Sequence, residues 1–390
     1  MNNNSITEYG RYLTGLISSV INSAAPQKPF KGMDWERLYK LALLHNVAAL
    51  VYPAIKELDP PEEVMKKFEY SNNRTLAREA RQELEARRIF EALHSEGIKF
   101  IILKGTHLKN FYPLPHMRTQ SDVDICMSKE DRARGMKLMH SFGYELDESI
   151  DYTDEYSKDN YFIYEFHSDI MSNKSEFHSA FSEPFSKAKP LDDDGMTFVF
   201  TDEYFYLHLF FHLYKHFISG GCGIRHFCDM YIFEKSHPDM DKEVILKVIK
   251  EYNTEEFYEN LNKLLLCMFE GKAPDNAQEQ ILAFIFKSSE HGTFQVYRTA
   301  SLFSKKTDIT RFDQFKYLLG NCFPGVEVMK KRYPILEKAP VLLPVCWVRR
   351  GCYSVFCNRE VLRRQKKELE IINSDEVKEA QNARHLIGIK

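Results

Sequence analysis

The sequence predicts an α+β protein in which a short α/β segment lies between two helical regions. Apolar residues recur at helical spacing in the first quarter of the chain, short apolar runs typical of strands occupy residues 97–200, and helical spacing returns from Thr201 onward. We therefore divide the chain into an N-terminal helical region (1–96), an α/β core (97–200) and a C-terminal helical region (201–390).

Composition and charge exclude several classes of protein. The 390 residues are 44% hydrophobic and 28% charged, which is typical of a globular protein and excludes a disordered or collagen-like chain. Lys and Arg number 53 against 56 Asp and Glu, a net charge of −3. Because proteins that coat nucleic acid are usually basic, long nucleic acid is not an expected partner.

The sequence also predicts a cytoplasmic protein with no membrane span. Its amino terminus lacks the basic segment and apolar stretch of a signal peptide. The longest apolar run, 339–348, contains two prolines and is too short to cross a bilayer. The eight cysteines form no Cys-x-x-Cys pair, so we expect reduced and mostly buried thiols.

The N-terminal region is predicted to be helical. In Trp35–Ile55 the apolar side chains recur at helical spacing. A charged helix follows from Pro61 to Glu96, because proline suits the first helical turn and the acidic residues Glu62 and Glu63 favour the positive end of the helix dipole.

The α/β core contains four predicted strands, over residues 99–103, 121–127, 160–168 and 196–200. The third of these alternates between an aromatic face and a face that carries Glu165 and His167. A short helix is expected to open at Gly105 after the first strand. Ser128 is the predicted N-cap of a helix that Gly143 ends.

The C-terminal region is predicted to be helical throughout. Thr201 is the expected N-cap of a helix that runs to Phe217. The glycine cluster at 220–223 breaks this helix, and another follows through Phe233. Further helical segments lead to a charged tail at 359–370.

The most informative residues for function are two aspartates in the second predicted strand. Asp122 and Asp124 are two residues apart, so their carboxylates project from the same face. Neighbouring carboxylates repel unless a cation lies between them, and they suit Mg²⁺ together with the phosphates of a triphosphate. Glu165 is the candidate third carboxylate. Gly105 and Thr106 are candidates to hold a phosphate through backbone N–H groups.

The order and spacing of these motifs resemble the bacterial family of uncharacterised nucleotidyltransferases, within the DNA polymerase β-like nucleotidyltransferase superfamily. The resemblance covers about residues 30–350. It rests on Trp35, Leu38, His45-Asn46-Val47, Leu103-Lys104-Gly105, Arg118, Asp122-Val123-Asp124, Glu165-Phe166-His167, His208 and His212. The Gly-Ser pair usual in the superfamily is Gly105-Thr106 here, and the threonine keeps a hydroxyl group.

This resemblance implies a polymerase β-like core with a small mixed sheet, and a two-metal transfer of a nucleoside monophosphate from an NTP to an acceptor. Asp122 and Asp124 would hold Mg²⁺ or Mn²⁺, and Glu165 would complete the second metal site and help deprotonate the acceptor. Gly105 and Thr106 would hold the terminal phosphates.

Two basic residues are also implied by the resemblance. Lys104 or Arg118 would offset the charge on the departing pyrophosphate. The alternatives are a structural ion pair for Lys104 and a solvated loop position for Arg118. The acceptor could be a small molecule, a protein side chain or an RNA end.

A second group of candidates lies on the histidine-rich helix. His208, His212 and His216 share one helical stripe. Three interpretations stay open: packed histidines, a nucleotide- or acceptor-facing surface built from His212, Lys215 and Arg225, and a zinc site.

Two further function classes stand beside the enzyme. A catalytically degenerate relative would bind nucleotide as a sensor or partner module, and substitution of Asp122 or Asp124 separates it from an enzyme, because only the enzyme loses turnover. A hydrolytic zinc enzyme would be centred on His208 and His212, and its metal content after purification would identify it.

Overall fold

The computed structural model describes residues 3–159, 162–288, 323, 325–330, 333, 335–356 and 375–389, and over these residues the chain has an α+β fold. The charged tail predicted at 359–370 lies outside the described residues. Among the described helices, none combines the length and the apolar composition that crossing a bilayer requires. The cysteines whose side chains are described are free thiols, and all of them except the half-buried Cys267 are buried.

Over the described residues, one mixed sheet of seven strands forms the centre of the fold. Its strands are β1 (Phe100–Ile102), β2 (Asp122–Cys126), β3 (Glu145–Ile150), β4 (Thr153–Lys158), β5 (Phe162–His167), β6 (Ala188–Pro190) and β7 (Thr197–Phe200). Their spatial order is β3-β4-β5-β2-β1-β7-β6. β2 is parallel to β5 and β1 is parallel to β7, whereas the other neighbours are antiparallel. The four predicted strands are therefore present, and residues 160–161 of the third lie outside the described residues.

The sequence does not predict β3, β4 and β6. All six residues of β3 are exposed and most of β4 is polar, so neither shows the apolar alternation on which strand prediction depends. Both form because they pair as a hairpin beside β5. β6 is only three residues long and ends in Pro190 at the sheet edge.

Four helices precede the sheet: α1 (Asn3–Ile21), α2 (Trp35–Leu44), α3 (Ala48–Glu57) and α4 (Glu62–Ser95). α4 confirms the predicted charged helix. The helical pattern predicted over Trp35–Ile55 is present as two helices, because the chain turns between α2 and α3, where Asn46 has a left-handed φ of 54°.

His45 provides the physical reason for this turn. Its ring is fully buried and uses both nitrogens: Nδ1 accepts from the Ile224 N–H (3.2 Å), and Nε2 donates to the Phe286 carbonyl (3.3 Å). If one continuous helix ran through residue 45, the buried Ile224 N–H and Phe286 carbonyl would lose the His45 ring as their hydrogen-bond partner. The turn therefore ties the N-terminal helices to two distant segments.

Two helices lie within the strand region: α5 (Lys104–Leu108) after β1, and α6 (Lys129–Ser141) after β2. α5 begins one residue before the predicted start and continues as a 3₁₀ turn. Ser128 caps α6 as predicted, since its Oγ accepts from the Asp131 N–H at 3.0 Å.

The helices that follow the sheet are α7 (Asp202–Ser219), α8 (Ile224–Ser236), α9 (Lys242–Glu251), α10 (Glu255–Phe269), α11 (Asn276–Lys287), α12 (Val326–Lys330), α13 (Ile335–Lys338), α14 (Leu343–Phe356) and α15 (Asp375–Ile387). Thr201 is the N-cap of α7, and its carbonyl accepts from the Phe205 N–H at 2.8 Å. The glycine cluster separates α7 from α8, as predicted.

The two faces of the sheet have different surroundings. One is apolar and belongs to a cluster with side chains of α4 and α6: Phe100, Ile102, Val123, Ile125, Tyr164, Phe166, Ile89, Leu93 and Met139. The opposite face carries Asp122, Asp124, Glu165 and His167, as strand alternation predicts. The carboxylates of β2 and β5 therefore all lie on this second face.

The larger apolar cluster joins this second face to helices from both flanks of the sheet. It includes Ile101, Cys126 and Phe200 of the sheet, together with side chains from α1, α3, α7, α8, α10, α11 and α15. Helices that precede the sheet and helices that follow it therefore share one core.

We expect His45 to make stability depend on pH. Burial lowers the pKa of His45 to about 4, so the unfolded chain binds a proton that the folded protein rejects between about pH 6.5 and pH 4. The contribution of the neutral His45 ring to the free energy of unfolding is complete above about pH 6.5. Acidification to pH 4 should lower the free energy of unfolding by about 3 kcal/mol.

Urea unfolding across this pH range measures the effect. His45→Gln should lack this part of the pH dependence, because glutamine does not titrate there. Parallel pH profiles for the wild type and the variant would contradict the assignment.

Candidate active site

The parallel pairing of β2 with β5 brings the acidic residues together. The register places Asp124 directly beside Glu165, and Asp122 lies two residues earlier on the same face. Asp124 is only 3% exposed, whereas Asp122 and Glu165 are half-buried. The three carboxylates predicted from the sequence thus lie on one face of two neighbouring strands.

Two nitrogen-bearing side chains face these carboxylates. Lys104 Nζ lies 3.3 Å from Asp124 Oδ1. His167 Nε2 donates to Asp124 Oδ1 at 3.1 Å and lies 3.2 Å from Glu165 Oε2. The Thr153 hydroxyl lies 3.0 Å from His167 Nδ1 and helps to orient the ring. The structural alternative for Lys104, an ion pair with a carboxylate, is therefore observed.

His167 is a candidate ligand that sequence reasoning missed. Asp124, Glu165 and His167 each offer one ligand atom, and these atoms lie within 4.8 Å of one another. The available signal is the position of His167 two residues after Glu165 on one strand face. Asp122 lies beside this group, with its Oδ1 accepting from Ser121 Oγ at 3.0 Å. The metal set predicted from sequence, Asp122 with Asp124 and Glu165, stays a prediction.

The charges of this cluster depend on one another. Burial alone would raise the pKa of Asp124, but the Lys104 ammonium and the hydrogen bond from His167 hold it well below its usual value. Burial, followed by the charge of Asp124, raises the pKa of Asp122. For Lys104, burial opposes the charged form, but Asp124 and Asp122 keep its pKa above the usual value. An ionised carboxylate and an ammonium group therefore stay in contact at neutral pH.

Lys104 and Gly105 lie at the turn where β1 ends. Lys104 has a left-handed φ of 34°, which is uncommon for a residue with a side chain. A Cβ on Gly105 would lie 2.6 Å from Arg118 Nη1 and 2.8 Å from Gln120 Oε1, so a side chain there would displace both groups. Thr106 is buried, and its Oγ1 accepts from Gln120 Nε2 at 2.9 Å.

Arg118 is buried, so its interpretation as a solvated loop residue is wrong. Its Nε and Nη2 donate to the two carboxylate oxygens of Asp229, each at 2.9 Å. The Tyr112 hydroxyl donates to the same carboxylate at 2.6 Å. This bidentate pair joins the segment before β2 to α8. Nη1 of Arg118 lies on the side of Gly105.

Two cavities meet at the carboxylate cluster. The smaller, of about 240 Å³, is lined by predicted site residues: Lys104, Gly105, Arg118, Asp122, Asp124, Glu165, His212 and Arg225. The larger, of about 410 Å³, is lined by Lys104, Glu165, His212 and Lys215 among others. The two cavities share Lys104, Glu165 and His212, so they adjoin.

The histidine stripe of α7 begins with a packed residue. His208 is 3% exposed, and its ring contacts those of Phe181 and Phe200, with centroids 5.8 Å apart in both pairs. Burial, followed by the charge of Lys104, lowers the pKa of His208 to about 3. The packed interpretation therefore holds for His208.

The other two histidines of the stripe have a different environment. His212 Nε2 lies 3.2 Å from His216 Nε2, and both rings contact that of His226 from α8. All three line the smaller cavity. Burial, followed by His216 and Lys104, lowers the pKa of His212 well below its usual value. Arg225, beside this group, donates from Nη1 to the Thr119 carbonyl at 3.1 Å.

Comparison with known proteins gives one match. A family model described as uncharacterised nucleotidyltransferase matches residues 31–270, more than half of the chain. No curated protein and no solved structure matches. The matched residues include the carboxylate cluster, the Arg118–Asp229 pair and the histidines of α7 and α8.

We expect the Arg118–Asp229 pair to be a strong determinant of stability. Arg118→Met leaves the Asp229 carboxylate buried without its cation, which should lower the free energy of unfolding by about 3–5 kcal/mol. Adding Asp229→Leu should recover part of this loss, because the unpaired charge is then gone.

Urea unfolding of the single and double variants measures both effects. Lys66→Met is the matched control, because its ion pair with Glu62 is exposed and should contribute less than about 1 kcal/mol. Equal losses for Arg118→Met and Lys66→Met would contradict the prediction.

Proposed function

The chain belongs to the uncharacterised nucleotidyltransferase family, and from this premise we propose that it transfers a nucleoside monophosphate from an NTP to an acceptor with Mg²⁺ or Mn²⁺. One observation carries the proposal: Asp124 and Glu165 lie side by side on parallel strands, at the junction of two cavities lined by Lys104. We further propose that the sheet is a polymerase β-like core.

The donor set suits such a cation. Asp122, Asp124 and Glu165 supply carboxylate oxygens, the ligands that Mg²⁺ prefers. His167 adds a nitrogen within 4.8 Å of the Asp124 and Glu165 ligand atoms, which Mn²⁺ accepts as well. A bound cation would neutralise phosphate charge and orient the phosphates for attack by the acceptor.

The phosphates of the donor would lie near the turn after β1. Lys104 is proposed to pair with a phosphate oxygen, because its ammonium already faces the carboxylates and lines both cavities. Gly105 is proposed to let a phosphate approach the backbone, and Thr106 is proposed to help hold that phosphate through its backbone N–H group. Arg118 would offer Nη1, since Nε and Nη2 are held by Asp229.

The acceptor would enter through the larger cavity. Glu165 lines it beside Lys104 and is proposed to take the proton from the attacking hydroxyl group. Lys215 lines the same cavity, while Arg225 and His212 line the smaller one, so these residues are proposed to contact nucleotide or acceptor. A small molecule, a protein side chain or an RNA end would be the acceptor.

A second candidate function is a nucleotide-binding sensor without turnover. One observation favours it: the Lys104 ammonium already pairs with Asp124, one of the proposed metal ligands. A sensor would keep nucleotide binding when Asp124 is replaced, provided that binding needs no metal. An enzyme would lose turnover.

Thermal unfolding with each of the four NTPs, with and without Mg²⁺, tests the proposal. We expect one NTP to raise the melting temperature only with Mg²⁺ present, since a ligand at a hundred times its Kd adds about 2.7 kcal/mol. Asp122→Asn/Asp124→Asn should abolish the shift. Pyrophosphate release with that NTP and a panel of acceptors then reports turnover.

The matched control is Asp193→Asn/Asp194→Asn, which removes the same charge from an exposed loop and should keep the shift. A shift that persists in Asp122→Asn/Asp124→Asn, together with no pyrophosphate release by the wild type, would favour the sensor. The absence of any NTP-dependent shift in the wild type would overturn both functions.

A further inference from the structure

We infer that His212, His216 and His226 form a second metal site, which binds one borderline divalent cation such as Zn²⁺. The three ring nitrogens that face one another lie within 4.8 Å, and they form a group separate from Asp124, Glu165 and His167. The inference concerns metal binding only and is independent of the proposed transfer reaction.

These three residues lie on two neighbouring helices, α7 and α8. His212 and His216 are four residues apart on α7, so they lie on one face, one turn apart. His226 belongs to the first turn of α8. The connection between the helices is short because Gly220 and Gly221 adopt left-handed φ values of 133° and 98°. A Cβ on Gly221 would lie 2.8 Å from Phe284 Cζ, so this turn depends on glycine.

The spacing of the nitrogens suits a four-coordinate ion. Ligands about 2.0–2.1 Å from zinc in a tetrahedral site lie about 3.3 Å apart. The Nε2 atoms of His212 and His216 are 3.2 Å apart, which meets this requirement without movement. The ligand nitrogen of His226 lies within 4.8 Å of those of His212 and His216, so an approach of at most about 1.5 Å brings it to the same spacing.

The donor chemistry separates this site from the carboxylate cluster. Three imidazoles suit Zn²⁺, Ni²⁺ or Cu²⁺, whereas carboxylate oxygens suit Mg²⁺ and Mn²⁺. Three protein ligands leave a fourth position of the ion free for water or another ligand. Because all three histidines line the smaller cavity, that position would be open to an oxygen or nitrogen of a molecule bound there.

The site also differs from the stripe that the sequence suggests. A zinc site on the stripe would use His208, His212 and His216, but His208 packs against Phe181 and Phe200. The structure replaces it with His226. This difference supplies a matched control, because His208 and His212 lie on one helix, a turn apart.

Metal content of the full-length protein, purified without a histidine tag and dialysed, tests the inference. After equilibration with Zn²⁺ in excess Mg²⁺, which occupies the carboxylate cluster, we expect about one equivalent of zinc per chain in the wild type. His226→Asn and His216→Asn should fall well below half an equivalent. His208→Asn and Asp122→Asn/Asp124→Asn should keep the wild-type content. Loss of zinc in Asp122→Asn/Asp124→Asn would overturn the assignment. Retention of zinc in both His226→Asn and His216→Asn would overturn it as well.

Cobalt substitution of the wild type tests the same site without a variant, so its result does not depend on whether a variant folds. Co²⁺ bound to three imidazoles in a four-coordinate site gives intense visible bands, whereas octahedral Co²⁺ gives weak ones. Intense bands that Zn²⁺ removes support the site. Weak bands, or no stoichiometric Zn²⁺ in the wild type, would show that the three histidines form only a hydrogen-bonded cluster and would overturn the inference.

Discussion

The site depends on one constraint, the burial of negative charge where β2 runs parallel to β5. This pairing places the buried Asp124 beside the half-buried Glu165, where water screens their repulsion less than it does at an open surface. The folded chain compensates with its own groups, Lys104 and His167. Lys104 has its left-handed backbone conformation directly after β1 ends, and its ammonium group contacts Asp124 from this position.

The strands alone do not build this site. The Arg118–Asp229 pair joins the segment before β2 to α8, and the His45 ring joins the α2–α3 turn to the start of α8 and the end of α11. Both contacts position α8, which also carries His226. Residues far apart in the sequence therefore hold one helix against the face of the sheet that carries the carboxylates.

Local patterns in the sequence predicted the four strands that bear apolar residues and the face on which Asp122, Asp124 and Glu165 lie. They failed where the cause is a distant contact. The α2–α3 break depends on Ile224 and Phe286, which no local pattern near His45 reveals. The polar hairpin β3–β4 exists through pairing rather than through its own periodicity. For the same reason, the meeting of His226 with His212 could not be predicted from a helical stripe.

The hairpin and the short strand β6 also protect the sheet from self-association. An open sheet ends in two strands with unpaired backbone groups, which can template pairing with another molecule. Over the described residues, β3 forms one end and carries the acidic residues Glu145, Asp147 and Glu148. The other end, β6, is short and contains Lys189 and Pro190. Charge at one edge and proline at the other would make edge-to-edge aggregation unfavourable, which explains why strands with so little apolar character are useful at these positions.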